Sequence, residues 1–304
     1  MKRTLAVILG LFLPMGLASA QEKQTPEKDP AGVSLSSNLL LLNLTVTDSH
    51  QADVPNLHQE DFHVLEDEAP QKIAFFGSEE TPFAVAILLD VSGSMERMVR
   101  IACAAARNFA DKMRGEDALA LYAFADQVAQ VQDFGPTHDV DEVVWNIRPE
   151  GNTALYDGVQ RAAQDLSQRS EHRRAMLVLT DGADTSSRQS LDGCVRAALD
   201  ASVTIYTVNL MDQDFTRRPE AHSAASALQV MADKTGGRFI NDPGGARMYQ
   251  AFEEVVKELS HQYTIGYFPT PEQHDGKWHK IQVEISKPGM QVRTRQGYQA
   301  PKKK

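Results

Sequence analysis

The chain has 304 residues, with 31 Lys and Arg against 41 Asp and Glu, 42% apolar residues and two cysteines. That composition suits one large or two modest globular domains and excludes a disordered, fibrous or repeat protein. Without the N-terminal Lys2 and Arg3, 29 basic residues face 41 acidic ones, a net charge of −12 that makes nucleic acid a poor partner.

The first twenty residues carry Lys2 and Arg3, an apolar run from Leu5 to Leu13, the breaker Pro14 and the small-residue ending Ala18-Ser19-Ala20. They read as a Sec-type signal peptide cut before Gln21, which predicts an exported protein, periplasmic or secreted. The run ahead of Pro14 falls short of the about 20 apolar residues that a membrane span needs. No cysteine follows the cleavage point to carry a lipid, and no later stretch reads as a membrane span. Residues 21–32 (QEKQTPEKDPAG) are polar, hold two prolines and predict a flexible leader.

From there to residue 81 the text becomes β-like, with short apolar or alternating runs at Leu39 to Thr47, Phe62 to Leu65 and Lys72 to Phe76. The central segment, 82–261, reads differently. Apolar runs at Phe83 to Leu89, Ala118 to Phe124, Ala175 to Leu179, Val203 to Val208 and Arg238 to Ile240 alternate with helical text. The helices are predicted at Met98 to Met113, Leu155 to Ser167, Leu191 to Ala201, Ala224 to Thr235 and Met248 to Leu259. Strands apolar on both faces, alternating with helices, imply a doubly wound, mainly parallel α/β sheet covered on both sides. Over 262–300 the β texture returns in Tyr263 to Phe268, His279 to Ile285 and Gln291 to Arg295. Small isolated sheets are marginal in water, so the two flanks are expected to pair into one six-stranded, β-sandwich-like domain in which the α/β domain is inserted. Residues 301–304 read as a solvated basic tail. Cys103 and Cys194 both fall in predicted helices, and their spacing says nothing about whether they meet, so sequence leaves their pairing open; two cysteines without a clustered histidine exclude a zinc knuckle.

The chemistry-bearing residues sit where central strands end. Asp90, Ser92 and Ser94 lie at i, i+2 and i+4 after the first central strand, so an extended segment points all three side chains to one side. Thr153 stands just before a helix, in Gly151-Asn152-Thr153-Ala154, and Asp181 ends the strand Met176 to Thr180. In a doubly wound sheet, ligands bind beyond the carboxyl ends of strands where the strand order reverses. If the strands carrying Asp90 and Asp181 are neighbours there, two carboxylates and three hydroxyls converge. Such an all-oxygen, hard donor set selects Mg²⁺ first, with Mn²⁺ or Ca²⁺ next. Asp157 reads as a local orienting group.

Asp90-Val-Ser92-Gly-Ser94, the later Thr153 and the end Thr180-Asp181-Gly182 together resemble the metal-ion-dependent adhesion site of von Willebrand factor type A domains, over roughly residues 82 to 261. The resemblance implies that Ser92, Ser94 and Thr153 give hydroxyl oxygens to the ion, that Asp90 and Asp181 act mostly through water or orient the serines, and that a protein partner's Asp or Glu completes the coordination. Neutral hydroxyl ligands leave more of the ion's charge unquenched than carboxylates do, which favours an incoming anion. The flanks resemble a bacterial group of exported proteins with this domain, through Val46-Thr47-Asp48, Asp61 to Asp67, Gln71-Lys72-Ile73 and Gly297 to Pro301. Gln51 and Glu68 stand where that group turns with glycine, so those turns are expected to differ or loosen.

A metal-dependent hydrolase is the main rival, and a structural protein stapled by its metal is a third reading. No G-x-S-x-G elbow, H-E-x-x-H helix or phosphate loop occurs in the sequence. With no base or nucleophile evidently paired to the metal, the protein is expected not to be an enzyme. His58 with His63, and His274 with His279, could ligate a second metal but read more simply as scattered surface histidines. Tyr263, Tyr267 and Phe268 read as β core. The expectation is an exported binding module.

Overall fold

The computed structural model describes residues 39–77, 81–135, 148–181, 184–211, 219–241 and 246–302. The signal-peptide and leader readings lie outside these residues, as do Lys303 and Lys304. All five candidate site residues lie within them.

A six-stranded sheet forms the centre, built from β5 (Phe83–Asp90), β6 (Ala118–Phe124), β7 (Val128–Gly135), β8 (Arg173–Thr180), β9 (Val203–Asn209) and β10 (Phe239–Asn241) in the order β10-β9-β8-β5-β6-β7. All pairings are parallel except β6 with β7. Every residue of β5 is buried, and alternate side chains serve opposite layers. Val85, Ile87 and Leu89 pack with α1 (Val99–Asp111) and α5 (Ala246–His261). Ala84, Ala86 and Leu88 pack with α2 (Leu155–Ser167), α3 (Leu191–Asp200) and α4 (Pro219–Thr235). The two-residue side-chain period of a strand explains why an unbroken apolar run was needed: each face meets a helix layer. At about 1.5–3 kcal/mol per buried large aliphatic side chain, this doubly covered strand is a principal source of stability.

β7 is an addition to the expected strands. It is an antiparallel edge, largely half-buried or exposed, so its text VAQVQDFG lacks the apolar run that marks the interior strands. Helix α4 begins five residues earlier than expected, with Pro219 at its first position, where a missing N–H costs nothing. Among the described residues, no helix is long and apolar enough to cross a membrane.

The flanks pair with one another. β1 (Leu40–Thr47), β2 (Phe62–Glu66), β3 (Ala69–Gln71) and β4 (Ile73–Gly77) combine with β11 (Tyr263–Tyr267), β12 (Trp278–Ile285), β13 (Gln291–Arg293) and β14 (Gly297–Gln299). They make two four-stranded sheets, β13-β1-β11-β4 and β14-β12-β2-β3. Among the described residues the expected six strands are thus eight, because β3 and β14 are three-residue edges too short to show a pattern. One apolar cluster joins both sheets, with Leu42, Leu44, Ile265 and Tyr263 from the first and Phe62, Val64, Ile281 and Tyr298 from the second. The turns at Gln51 and Glu68 correct the expectation from sequence: both residues take the left-handed conformation that glycine favours, at φ 62° and 69°. Asp67 joins Glu68 at φ 46°, so the two-residue β2–β3 turn has the left-handed pair that such a hairpin demands.

Cys103 and Cys194 are both buried. They belong to the cores on opposite faces of the central sheet, and the sheet itself separates them.

Candidate metal centre

β5 and β8 lie side by side, with Leu89 opposite Leu179. From this pair the order runs to β6 and β7 on one side and to β9 and β10 on the other, so the crevice beyond their carboxyl ends is the reversal point at which such sheets bind ligands. Asp90 and Thr180-Asp181 leave the sheet there as neighbours.

Asp90 is fully buried. Its Oδ1 accepts the Ser92 N–H at 2.9 Å, and its Oδ2 accepts the Thr180 hydroxyl at 2.5 Å. The Oγ atoms of Ser92 and Ser94 are 3.2 Å apart. Ser92 is buried but Ser94 is exposed, so this chain of oxygens runs from the core to solvent. Burial pushes the Asp90 carboxyl up to about 6, against the pull of its Ser92 and Thr180 donors, and the charge of Asp181 adds to the rise. Asp181 Oδ1 is itself buried and accepts no hydrogen bond. An acceptor left bare in such a place is costly.

The second loop is tied to the first. Gly93 N–H donates to Gly151 O at 3.2 Å, Glu150 N–H to Val91 O at 3.0 Å, and Ala154 N–H to Ala125 O at 2.8 Å. Gly151 sits at φ 81°, and a Cβ there would collide with the Asp126 carboxylate, so only glycine fits. Asp126 in turn accepts both the backbone and side-chain N–H of Asn152, at 3.0 and 2.8 Å. Thr153 follows, buried, with its N–H held by Thr185 Oγ1 at 2.9 Å. Asp157 accepts backbone N–H groups of Arg188 and Gln189, which makes it the orienting group expected.

The structure therefore links Asp90, Ser92 and Ser94 through their own hydrogen bonds, sets Asp181 against Asp90 through strand register and charge, and brings the Thr153 loop to the Asp90 loop through Gly93 and Gly151. The donors suit a hard cation: an unpartnered carboxylate oxygen, a second carboxylate crowded by the first, and hydroxyls. Sequence reasoning missed Thr180 as the donor to Asp90. Its only signal was its place at a strand end, which a threonine chosen for β propensity shares.

The paired histidines do not form second centres. His63 meets Ser286 Oγ at 2.8 Å, and His274 pairs with Glu272. His279 is clamped between Asp67 at 2.7 Å and Asp275 at 3.1 Å. Among the described residues, no group of three or more His, Cys, Asp or Glu is arranged for a metal. Tyr263 and Tyr267 are core, whereas Phe268 is 43% exposed and corrects that part of the reading.

The central sheet is a doubly wound α/β fold with oxygen-bearing side chains at its reversal point. The von Willebrand factor type A domain family matches residues 85–183, about a third of the chain, from β5 through the end of β8 and just beyond. The α/β portion has that fold. No curated protein matches the chain significantly in sequence. Similar solved structures include an aerotolerance-related membrane protein from Bacteroides fragilis, at 17% identity over 58% of this chain and 98% of that one, with a TM-score of 0.48. The vWF domain of the type V pili tip protein Mfa5 from Porphyromonas gingivalis is 14% identical over 58% and 94%, with a TM-score of 0.49. A von Willebrand factor type A protein from Catenulispora acidiphila is 13% identical over 89% and 75%, with a TM-score of 0.45.

Proposed function

We propose that the protein is an exported, non-enzymatic binding module whose crevice holds a divalent cation, Mg²⁺ before Mn²⁺ or Ca²⁺, and uses it to recognise an Asp or Glu on a protein partner. The observation that carries this reading is the bare Oδ1 of Asp181 beside the buried Asp90. Two neighbouring carboxylates, one of them fully buried, repel each other, and a cation between them turns that repulsion into attraction.

Ser92, Ser94 and Thr153 would hold the ion through hydroxyls, while Asp90 and Asp181 orient them and balance charge. When bound, the ion supplies a positive centre for an incoming carboxylate. Ser94 is exposed, so a ligand reaches that side of the crevice from solvent. Among the described residues, no His, Cys or Lys is hydrogen-bonded to Asp90, Ser92 or Ser94. A binding role needs no such base. Export rests on the character of residues 1–20.

The test is calorimetric titration of the mature chain with MgCl₂, followed by capture from envelope extract in Mg²⁺ or EDTA, for wild type and Ser92→Ala. Magnesium uptake and EDTA-sensitive capture, both lost in the variant, are expected. Identical capture in every condition rejects metal-mediated recognition.

A further inference from the structure

Helix α2 begins at Leu155, and the residue before it, Ala154, has no side chain that can cap it. The first N–H groups of a helix need acceptors, and most helices supply one from a local Ser, Thr, Asp or Asn. Here the acceptors come from a different segment, the one that follows β8. Asp184 Oδ1 accepts the Tyr156 N–H at 3.3 Å, and Ser187 Oγ accepts the Asp157 N–H at 3.1 Å. The Ser187 hydroxyl donates to Asp184 Oδ1 at 2.5 Å, which fixes both acceptors.

The same segment grips Thr153 from both sides of its backbone. Thr185 Oγ1 accepts the Thr153 N–H at 2.9 Å, and Thr153 O accepts the N–H groups of Thr185 and Ser186 at 2.9 and 3.1 Å. The grip is mutual, because Asp157 Oδ1 accepts the N–H groups of Arg188 and Gln189 at 3.1 and 2.9 Å. Residues 184–189 begin three positions after Asp181. The backbone of Thr153 is thus held by a segment that follows Asp181 closely in sequence, although Thr153 and Asp181 are themselves 28 positions apart.

We infer that Asp184–Gln189 is a strap that registers Thr153 against Asp181, with Asp184 and Thr185 as positioning residues for cation uptake. This rests on the metal reading of the crevice. Neither residue is among the five oxygen donors. A local cap would hold α2 equally well but would leave Thr153 free to drift relative to Asp181. Groups that orient ligands from behind typically change metal affinity 10–100-fold when removed.

Thr185→Val, Thr185→Ser and, as a control, Ser190→Ala are compared in the mature chain. Ser190 caps α3 through the Gly193 N–H and bonds to nothing in the Thr153 loop. Titration with MgCl₂ reads the dissociation constant, and hydrogen–deuterium exchange in EDTA reads the amides of residues 152–158. The strap predicts roughly ten-fold or greater weakening of Mg²⁺ binding in Thr185→Val, with faster exchange of the Thr153 amide. Thr185→Ser should rescue both readouts, and Ser190→Ala should leave the dissociation constant unchanged. Wild-type affinity in Thr185→Val, when wild type binds, overturns the strap and leaves the site reading intact. No cation uptake by wild type overturns the site reading and with it the strap's role there.

Discussion

Thr180 donates its hydroxyl to Asp90 Oδ2 at 2.5 Å, joining the ends of two adjacent strands whose sequence positions differ by ninety. The bond spans the reversal point of the sheet and holds the Asp90 carboxylate in the orientation in which its other oxygen receives the Ser92 N–H.

Thr180→Val keeps the β-branched shape and removes the hydroxyl. The buried Asp90 then loses a donor, and the fold should lose about 1–3 kcal/mol, the cost of an unsatisfied buried acceptor. Thr180→Ser should recover most of it. Urea denaturation of the three proteins in EDTA checks this, and equal midpoints for Val and wild type would contradict it.

The Asp90 carboxyl, at about 6 when folded against 3.8 ordinarily, gives a pH dependence of definite sign. The folded state holds this proton more tightly, so the contribution is fully present below pH 3.8 and is lost as pH rises through 6. In EDTA the loss should be on the order of 3 kcal/mol, and Asp90→Asn should abolish that slope. Protons compete with the cation, so saturating Mg²⁺ should stabilise wild type more at pH 7.5 than at pH 5. His279 adds a second window of the same sign. Burial alone would lower its pKa, but the bonds to Asp275 and Asp67 outweigh that and raise it above 6.5. Its contribution is present below 6.5 and lost as pH rises through the raised value, a loss that His279→Gln should remove.

Glu68→Gly should stabilise the protein. A side chain held at left-handed φ costs about 1–2 kcal/mol, and glycine's extra chain entropy returns about 0.5–1 of that. A net gain of a few tenths to about 1 kcal/mol is therefore expected at this exposed turn. Thermal unfolding reads it, and a lower Tm in Glu68→Gly would count against the turn geometry.

The two thiols should be unreactive and unbridged. Burial pushes Cys103 up to about 11 and Cys194 up to about 12, so neither carries appreciable thiolate at neutral pH. A thiol reagent should label neither in the native protein and both in denaturant, with no mobility shift on reduction. Rapid native labelling of either would show that its core is open.

The kinds of element were legible in sequence, and the candidate site residues could be named there, because their signals are local. An unbroken run such as FAVAILLD meets helices on both faces, and the amphipathic spacing of Leu155 to Ser167 marks α2 to the residue. The extended path expected through Ser94 is corrected, because β5 ends at Asp90 and Gly93–Met95 turn as a 3-10 helix, so hydrogen bonds rather than strand geometry join Asp90, Ser92 and Ser94. Where the signal is weak or shared, the text misleads: β3, β7 and β14 are edges without a complete apolar pattern, and Gln51 and Glu68 turn as glycines do because their strand pairings demand it. Only the tertiary structure could decide which strands adjoin, since pairing energy is gained between segments that carry no mark of one another. That adjacency put Thr180 on Asp90, left Asp181 Oδ1 bare beside it, and hung Thr153 from Thr185, so the candidate residues belong to the sequence and their arrangement to the order of the sheet.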